Sequence, residues 1–329
     1  MQQILKRDDP AGVEAFLHRQ EWIAKDVHVV RVDRAGEGNM NLVLRVELGG
    51  AQVERGSVIL KQARPWVEKY PDIAAPPERM EVEADFYRLA TRELALAARM
   101  PELLAADSVQ HSALLSDLGP SSDYTPLYAG AQLADADARA LLSWLTALHG
   151  LAIDPTDWPR LENRSMRALN RTHIFDLPLA VGAPDADGFC PGLGIMAERL
   201  RADDRLRARM RELAECYEAD GNRLLHGDYY PGSWLATDDG PMVIDPEFGC
   251  FGPAEFDIGV FRAHLHFANQ TLELARHYQP PANFDARLAD AFTGAELIRR
   301  LLGVAQLPLE ATLEQREAWL EIGRDLVLA

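Results

Sequence analysis

Cysteine is scarce in this sequence, where three residues, Cys190, Cys216 and Cys250, stand far apart with no Cys-x-x-Cys spacing. An odd and sparse set of this kind argues against both a disulfide framework and a structural zinc site. Long apolar runs are also missing, and none approaches the length that crosses a bilayer. The first ten residues, MQQILKRDDP, lack an apolar core, so we expect no signal peptide and a cytoplasmic protein.

Clustered basic residues are absent too. The chain has 34 Lys and Arg against 51 Asp and Glu, a formal net charge of −17. Because such a surface repels phosphate backbones and anionic lipids, neither a nucleic acid nor a membrane is an expected partner. The 329 residues, 47% of them hydrophobic, suffice for one large domain or two lobes with sizeable cores.

The first third of the chain has the patterns of β-strands. Between residues 40 and 48, apolar side chains recur at every second position, the period of a half-buried strand. Residues 27–32 and 57–62 are also strand-like, and 113–116 form a short apolar run. Pro76 and Pro77 open a segment with helical spacing. The pattern predicts a β-rich N-terminal lobe with one helix packed on it.

Beyond about residue 118 the pattern becomes helical. Apolar residues form a stripe that ends at Gly150, and residues 195–219 and most of 255–329 also read as amphipathic helix. We therefore predict an α+β protein with a β-sheet N-lobe at 1–117 and a mostly helical C-lobe at 118–329. A cleft between two such lobes is a natural ligand site.

Two short apolar runs in the C-terminal half are followed at once by acidic residues. Residues 224–233 read LLHGDYYPGS and 242–248 read MVIDPEF, which places Asp228 and Asp245 at the exits of two short strands. We expect a tight turn to join these strands and to bring both carboxylates to one edge. Phosphoryl transfer needs such a pair, since one carboxylate orients the attacking hydroxyl and others hold Mg²⁺.

These motifs resemble the methylthioribose kinase family, within the protein-kinase-like superfamily of small-molecule kinases that includes the aminoglycoside and choline kinases. The resemblance lies in HGD followed five residues later by Ser233, in DPEF at 245–248, and in FGPAEFDIG at 251–259. Asp257 in the last segment resembles the buried helix aspartate that braces the catalytic loop. Tyr229-Tyr230-Pro231 departs from the Leu-His-Thr that is usual in the family. The resemblance implies a two-lobed protein-kinase-like fold.

The resemblance also implies an ATP site in the N-lobe. Residues 36–46, GEGNMNLVLRV, look like the glycine-rich loop, Lys61 would contact the α- and β-phosphates, and Glu83 would hold that lysine. Residues 116–118 would meet adenine through backbone groups. The implied nucleotide-binding residues are Gly36, Gly38, Asn39, Lys61, Glu83, Ser116, Asp117 and Leu118.

In the C-lobe the resemblance implies a catalytic carboxylate, a magnesium site and an acceptor site. Asp228 would orient the hydroxyl and accept its proton, and Arg299 and Arg300, in IRRLLGVAQ at 298–306, would contact the acceptor. The implied metal ligands are Asp245, Glu247 and Ser233, and the implied substrate-binding residues are Asp228, Tyr229, Arg299 and Arg300. ATP, Mg²⁺ and a small hydroxylated substrate, 5-methylthioribose or a related pentose, are thus the expected ligands. A homodimer is compatible with the sequence.

Each motif also has a simpler interpretation when it is taken alone. The glycine-rich segment could be a hairpin turn, Lys61 and Glu83 could be surface charges, and the two arginines could be helix-end cations. His264 and His266 read as packing or surface residues and receive no role. Two other functions stay open: a kinase for another sugar, an amino alcohol or an aminoglycoside, and a catalytically silent nucleotide-binding module.

Overall fold

The computed structural model of the chain describes residues 2–36, 40–50 and 56–329. The chain divides into two compact units, Met1–Ser121 and Ser122–Ala329, a division a few residues beyond the one that the sequence predicts. The first unit is built on an antiparallel sheet and the second is mostly helical. This arrangement confirms the predicted α+β class.

The first unit is centred on a five-stranded sheet with the strand order β1-β2-β3-β7-β6, in which every ladder is antiparallel. In the inner strand β3, Lys61 pairs with Val43 on one side and with Ala113 on the other. The strands of this unit are β1 (Val27–Arg34), β2 (Leu42–Gly50), β3 (Gly56–Gln62), β4 (Trp66–Val67), β5 (Tyr70–Ala74), β6 (Leu103–Asp107) and β7 (Ser112–Ser116).

Among the residues of this unit that the structure describes, three helices accompany the sheet: α1 (Pro10–Arg19), α2 (Arg79–Ala90) and α3 (Leu94–Ala97). Helix α1 begins at Pro10, and the carboxylate of Asp9 caps it by accepting the N–H of Gly12 at 2.9 Å. Its apolar face packs on the sheet residues Leu44 and Leu60 to form the core of this unit. The helix predicted after Pro76-Pro77 is α2, and ten of its twelve residues are buried.

The second unit contains seven α-helices: α4 (Asp135–His149), α5 (Arg164–Arg171), α6 (Leu193–Arg201), α7 (Asp204–Glu218), α8 (Glu255–Phe267), α9 (Ala286–Leu302) and α10 (Leu313–Leu328). The single helix expected over 195–219 is interrupted, because Asp203 caps α7 by accepting the N–H of Leu206 at 3.0 Å. The apolar faces of α6–α10 form one large core. Across the described ranges, no helix combines the length and apolarity that crossing a membrane requires.

Short strands connect these helices: β8 (Ser122–Asp123), β9 (Arg223–Leu225), β10 (Trp234–Thr237), β11 (Gly240–Val243) and β12 (Cys250–Gly252). The strands before Asp228 and Asp245, β9 and β11, do not form the predicted hairpin. Strand β9 pairs with β12, whereas β11 pairs with β10. The prediction failed because residues 234–237, between the two motifs, form a strand of their own that takes the partner position beside β11.

Candidate active site

The segment His226-Gly227-Asp228 leaves strand β9 in a conformation that only glycine accommodates at its centre. Gly227 has φ +82°, and a Cβ there would lie 2.2 Å from the carbonyl oxygen of Phe248. Asp257, in the first turn of α8, accepts the N–H groups of His226 at 2.7 Å and Gly227 at 2.9 Å. Its carboxylate is fully buried. The backbone of the loop that carries Asp228 is therefore held by the Asp257 carboxylate, which agrees with the bracing position expected for Asp257.

Asp257 contacts a buried histidine, which in turn contacts a tyrosine, and the sequence reasoning overlooked both. His149, the last residue of α4, lies 3.2 Å from Oδ2 of Asp257 through Nε2 and 2.8 Å from the hydroxyl of Tyr278 through Nδ1. The ring of His149 is completely buried. A histidine immediately before the helix-ending Gly150 was an available signal, although the spacing gives no partner for it.

His226 joins the two strand exits that the sequence placed on one hairpin. Its Nε2 donates to the carbonyl oxygen of Ile244 at 2.9 Å, directly before Asp245. Burial lowers the pKa of His226, although the charge of Asp257 opposes this shift. A neutral imidazole that donates through Nε2 is suited to orienting the loop.

The second acidic motif begins with a strained residue. Asp245 has φ +60°, and residues Pro246–Phe248 form a short 3-10 turn after it. The amide of Asn163 donates to the carbonyl oxygens of Glu247 at 3.1 Å and Gly249 at 3.0 Å, which fixes this turn. The side chain of Glu247 is buried. Both acidic groups therefore lie on backbone that is held in one conformation.

These carboxylates have the donor chemistry that Mg²⁺ prefers. Within the described ranges, no three His, Cys, Asp or Glu side chains cluster closely enough to enclose a metal ion. Mg²⁺ at nucleotide sites is usually held by one or two protein carboxylates together with phosphate oxygens and water. Asp245 and Glu247 fit that pattern, and their assignment as metal ligands stays a prediction.

Ser233 serves the loop geometry directly. Its hydroxyl donates to the carbonyl oxygen of Asp228 at 2.9 Å, and its N–H donates to the carbonyl oxygen of Tyr230 at 2.8 Å. A hydroxyl that donates one hydrogen bond retains lone pairs that can accept or ligate. Ser233 thus closes the loop that carries Asp228, and its role as a metal ligand stays a prediction.

The structure brings Asp228 together with both predicted arginines at the end of α9. Nη2 of Arg300 lies 3.1 Å from Oδ1 of Asp228, and Nη2 of Arg299 lies 3.9 Å from the same oxygen. The side chains of Arg299 and Arg300 are only 7% and 5% exposed, against 19% for Asp228. Buried guanidiniums in these contacts differ from the solvated helix-end cations of the simpler interpretation.

A glutamate that the sequence analysis did not identify balances the two arginines. Glu296 contacts Nη1 of Arg299 through Oε2 at 2.9 Å and Nε of Arg300 through Oε1 at 2.6 Å. Burial alone would raise the pKa of Glu296, but the charges of Arg299 and Arg300 hold it well below its usual range. Burial alone would likewise lower the pKa of Arg300, yet Glu296 and Asp228 raise it. The i,i+3 and i,i+4 spacing was the signal that could have revealed Glu296.

The two tyrosines after Asp228 have opposite surroundings. Tyr229 is fully buried, stacks on Trp144 with ring centroids 5.5 Å apart, and donates its hydroxyl to the carbonyl oxygen of Leu141. This position disagrees with the predicted substrate contact, because the ring packs in the core. Tyr230 instead lies against the guanidinium of Arg300, 4.7 Å from its Cζ. The aromatic residue beside the site is therefore Tyr230.

His264, to which the sequence gave no role, lies behind the arginines. Its Nδ1 is 2.5 Å from the hydroxyl of Tyr128, and its Nε2 is 3.2 Å from Oε1 of Glu296. Burial, helped by the charge of Arg300, lowers the pKa of His264 to about 4, while contacts with Glu296 act in the opposite direction. His264 lies seven residues after Asp257 on α8, so helical spacing from that aspartate was an available signal.

The first unit contains the predicted lysine–glutamate pair. Nζ of Lys61 on β3 lies 2.6 Å from Oε1 of Glu83 on α2, and both side chains are almost completely buried. Gly36 has φ +79°, which favours glycine, whereas Gly38 and Asn39 lie outside the described residues. Lysine and glutamate are almost never fully buried unless they are paired. This buried contact therefore rules out the interpretation of the lysine as a surface charge.

In the proposed adenine-contacting segment, the side chains of Ser116 and Asp117 form hydrogen bonds within the first unit. Asp117 accepts hydrogen bonds from Nη2 of Arg45 at 3.0 Å, the hydroxyl of Ser57 at 2.6 Å and the N–H of Gly119 at 3.0 Å. Burial alone would raise the pKa of Asp117, but the bonds from Ser57 and Arg45 lower it. Ser116 is tied to Glu102 through its N–H at 2.9 Å and its hydroxyl at 2.8 Å. Contacts of Ser116, Asp117 and Leu118 with adenine stay a prediction for backbone groups.

Comparison with known proteins shows which family the sequence matches. The model of the Phosphotransferase enzyme family matches residues 31–301. A methylthioribose kinase of Erwinia tasmaniensis is 32% identical over 68% of this chain and 57% of its own length. One from Exiguobacterium sibiricum is 29% identical over 73% of this chain and 61% of its own length. The chain therefore spans less than two thirds of the curated relatives that it matches.

Solved structures share the fold at low sequence identity. A choline/ethanolamine kinase family protein from Mesorhizobium loti has a TM-score of 0.52 at 18% identity, covering 97% of this chain and 95% of that one. An aminoglycoside phosphotransferase from Alicyclobacillus acidocaldarius has a TM-score of 0.52 at 13% identity, covering 99% and 96%. These likenesses confirm the protein-kinase-like fold that the motifs implied.

Proposed function

Because this chain belongs to the Phosphotransferase enzyme family, we propose that it transfers the γ-phosphoryl group of ATP to a hydroxyl of a small sugar. The products are ADP and the sugar phosphate. The acceptor that we favour is 5-methylthioribose, or a closely related pentose, at its anomeric hydroxyl. The methylthioribose kinases among the relatives support this choice. The structural observation that carries the proposal is the braced Asp228 with Arg299 and Arg300 at its carboxylate.

Asp228 is assigned as the group that orients the acceptor hydroxyl and accepts its proton. Both guanidiniums approach Oδ1 of Asp228, so we assign Oδ2 to the hydroxyl. General-base help of this kind typically contributes about 10²- to 10⁴-fold to the rate. Asp257 accepts the N–H of Gly227, and Ser233 donates to the carbonyl oxygen of Asp228. These bonds hold the loop that carries the carboxylate, which removes part of the entropic cost of alignment.

The charges around Asp228 favour an uncharged acceptor over a cationic one. Two guanidiniums, Arg299 and Arg300, face two carboxylates, Asp228 and Glu296, so this group of four side chains is close to neutral. An ammonium group placed at Asp228 would meet both guanidiniums within a few ångströms, and like charges at such distances repel. A neutral sugar therefore suits the site better than an amino alcohol or an aminoglycoside.

We assign the nucleotide to the first unit. Lys61 would contact the α- and β-phosphates, Glu83 would hold the lysine, and residues 116–118 would meet adenine through their backbone. Asp245 and Glu247, with Ser233 beside them, would hold Mg²⁺, which when bound neutralises charge on the phosphates. Use of ATP is consistent with a cytoplasmic enzyme, and we propose that compartment.

A panel of acceptors tests this proposal. Purified protein with ATP and Mg²⁺ is given 5-methylthioribose, ribose, choline or kanamycin, and ADP release is followed by a coupled assay. We expect the highest kcat/KM for 5-methylthioribose or another neutral pentose, and loss of that activity in Asp228→Asn. A kcat/KM for choline or kanamycin that equals or exceeds the pentose value would contradict the acceptor class.

The silent-module alternative is separated by the same panel. If no acceptor yields ADP while ATP still raises the thermal unfolding midpoint, the chain binds nucleotide without transferring phosphate. ADP release that depends on an acceptor rejects that alternative. Formation of the matching sugar phosphate, measured by mass spectrometry, excludes simple hydrolysis of ATP.

A further inference from the structure

Behind the two arginines, three buried residues from three different elements form a chain of hydrogen bonds. Tyr128 lies in the 3-10 turn Thr125–Ala129, His264 in α8 and Glu296 in α9. All three are at most 4% exposed. We propose that Tyr128, His264 and Glu296, here called the relay, are positioning residues that fix the guanidinium of Arg300 at Asp228 and so tune acceptor recognition. The link to the acceptor rests on the proposed function.

The protonation states determine which group donates each hydrogen bond in the relay. Glu296 is ionised beside two arginines and can only accept, so Nε2 of His264 must carry the hydrogen that it donates to Oε1. The imidazole is neutral, because burial lowers the pKa of His264. Its Nδ1 must then accept, and the hydroxyl of Tyr128 donates to it. Burial raises the pKa of Tyr128, which keeps that hydroxyl protonated.

The relay fixes the orientation of the Glu296 carboxylate, which the ion pairs alone do not restrain well. The terminal torsion of a glutamate is broad and roughly two-fold, so two arginine contacts do not fix the plane of its carboxylate well. Oε2 of Glu296 serves Arg299, whereas Oε1 receives both Nε of Arg300 and Nε2 of His264. The histidine bond therefore restrains that plane, and with it the direction of Nη2 of Arg300 toward Asp228. Residues that hydrogen-bond to a ligand-binding side chain commonly fix its orientation in this way.

Tyr230 packs against both the relay and the Arg300 guanidinium. Its ring lies 4.7 Å from Cζ of Arg300 and 5.3 Å from the ring centroid of His264. Tyr230 therefore contacts both the relay and the arginine that the relay directs. Removing the His264 ring would weaken the restraints on two sides of the Arg300 guanidinium at once. We therefore expect a larger effect on acceptor use than on ATP use.

Steady-state kinetics of matched variants test the relay. His264→Met removes both ring hydrogen bonds, and His264→Gln retains one donor and one acceptor. His266→Met, two residues along α8 and outside the relay, is the control. With 5-methylthioribose, or whichever panel sugar the enzyme uses best, we expect His264→Met to lower kcat/KM for the sugar by about 5- to 20-fold and to leave KM for ATP unchanged. His264→Gln should recover part of the loss, and His266→Met should match the unsubstituted protein.

The relay is overturned if His264→Met behaves like His266→Met, or if it weakens ATP and sugar use equally. It is also overturned if His264→Gln gains nothing over His264→Met. Glu296→Gln is the harsher variant, because it leaves two buried guanidiniums with one carboxylate, and it is interpreted only if its unfolding transition is intact. In that case it should reproduce the selective loss of sugar use, and equal loss of ATP use would count against the relay.

Isotope-labelled histidine with NMR detection tests the relay without any acceptor. We expect one histidine signal, absent from His264→Met, to show the neutral Nε2–H tautomer and to stay neutral at pH 5. An Nδ1–H tautomer, or a midpoint near the ordinary value of 6.5, overturns the relay. If every sugar in the panel fails while this signal is as expected, the acceptor proposal is wrong and the relay geometry stands.

Discussion

Arg300→Ala removes a guanidinium that contacts Glu296, Asp228 and the ring of Tyr230. Breaking a buried ion pair by deleting one partner typically costs about 3–5 kcal/mol. We expect about 3 kcal/mol, near the lower end, because Arg299 still contacts Glu296 at 2.9 Å. If Arg300 also holds the acceptor, its loss should cost a further ~1–3 kcal/mol in the transition state, or about 5- to 150-fold in kcat/KM.

Urea unfolding and acceptor kinetics measure these two effects separately. Arg199→Ala is the matched control, because Arg199 pairs with Glu321 at 2.8 Å while both side chains stay largely exposed. An exposed pair of this kind should be worth at most about 1 kcal/mol. Arg300→Ala should therefore shift the urea midpoint well beyond Arg199→Ala and lose sugar use selectively. Equal midpoints with unchanged kcat/KM for every accepted sugar would show that Arg300 is neither a buried ion-pair partner nor an acceptor contact.

Three further predictions follow from the site. Asp228→Asn keeps an oxygen for Arg300 but loses the proton acceptor, so ATP binding should persist while turnover falls by at least ~10²-fold; a near-normal rate would move the catalytic carboxylate elsewhere. Glu247→Gln should raise the Mg²⁺ concentration needed for half-maximal rate, and an unchanged titration would restrict the metal site to Asp245. The pKa of His264 falls from 6.5 to about 4 on folding, so the unfolded chain binds this proton more readily than the folded protein does. The contribution of His264 to the free energy of unfolding is therefore fully present above pH 6.5 and is lost as the pH falls to about 4. Denaturation of His264→Gln should show a pH dependence flatter by up to ~3 kcal/mol across that range, and an equal slope would contradict the shift.

Periodicity and motif order predicted most of the fold. Alternating apolar residues located strand β2, the strand-like segment 57–62 located β3, and the proline pair located the start of α2, because these signals are local. The pairing of β9 with β12 was missed, since strand partners depend on the whole second unit. The break before α7 could have been predicted, because Asp203 is a good helix cap.

The candidate site was predictable where a residue type is chemically required. The carboxylate of Asp228 was expected from the needs of phosphoryl transfer, whereas the Lys61–Glu83 contact was expected from the family resemblance. Which of two adjacent tyrosines faces the site depends on the backbone direction after Gly227, and the sequence does not give that direction. Helical spacing relates Glu296 to the two arginines and His264 to Asp257, but spacing alone does not show which of these side chains are buried in contact.

Phosphorus NMR of the reaction products tests whether the protein transfers a phosphoryl group to a neutral sugar. The protein is incubated with ATP, Mg²⁺ and 5-methylthioribose, beside the Asp228→Asn variant as the inactive control. We predict a sugar phosphate resonance coupled to the anomeric proton, growing in step with ADP and missing from the control. ADP with only inorganic phosphate, or phosphorylation of choline or kanamycin in place of every pentose, would contradict the account.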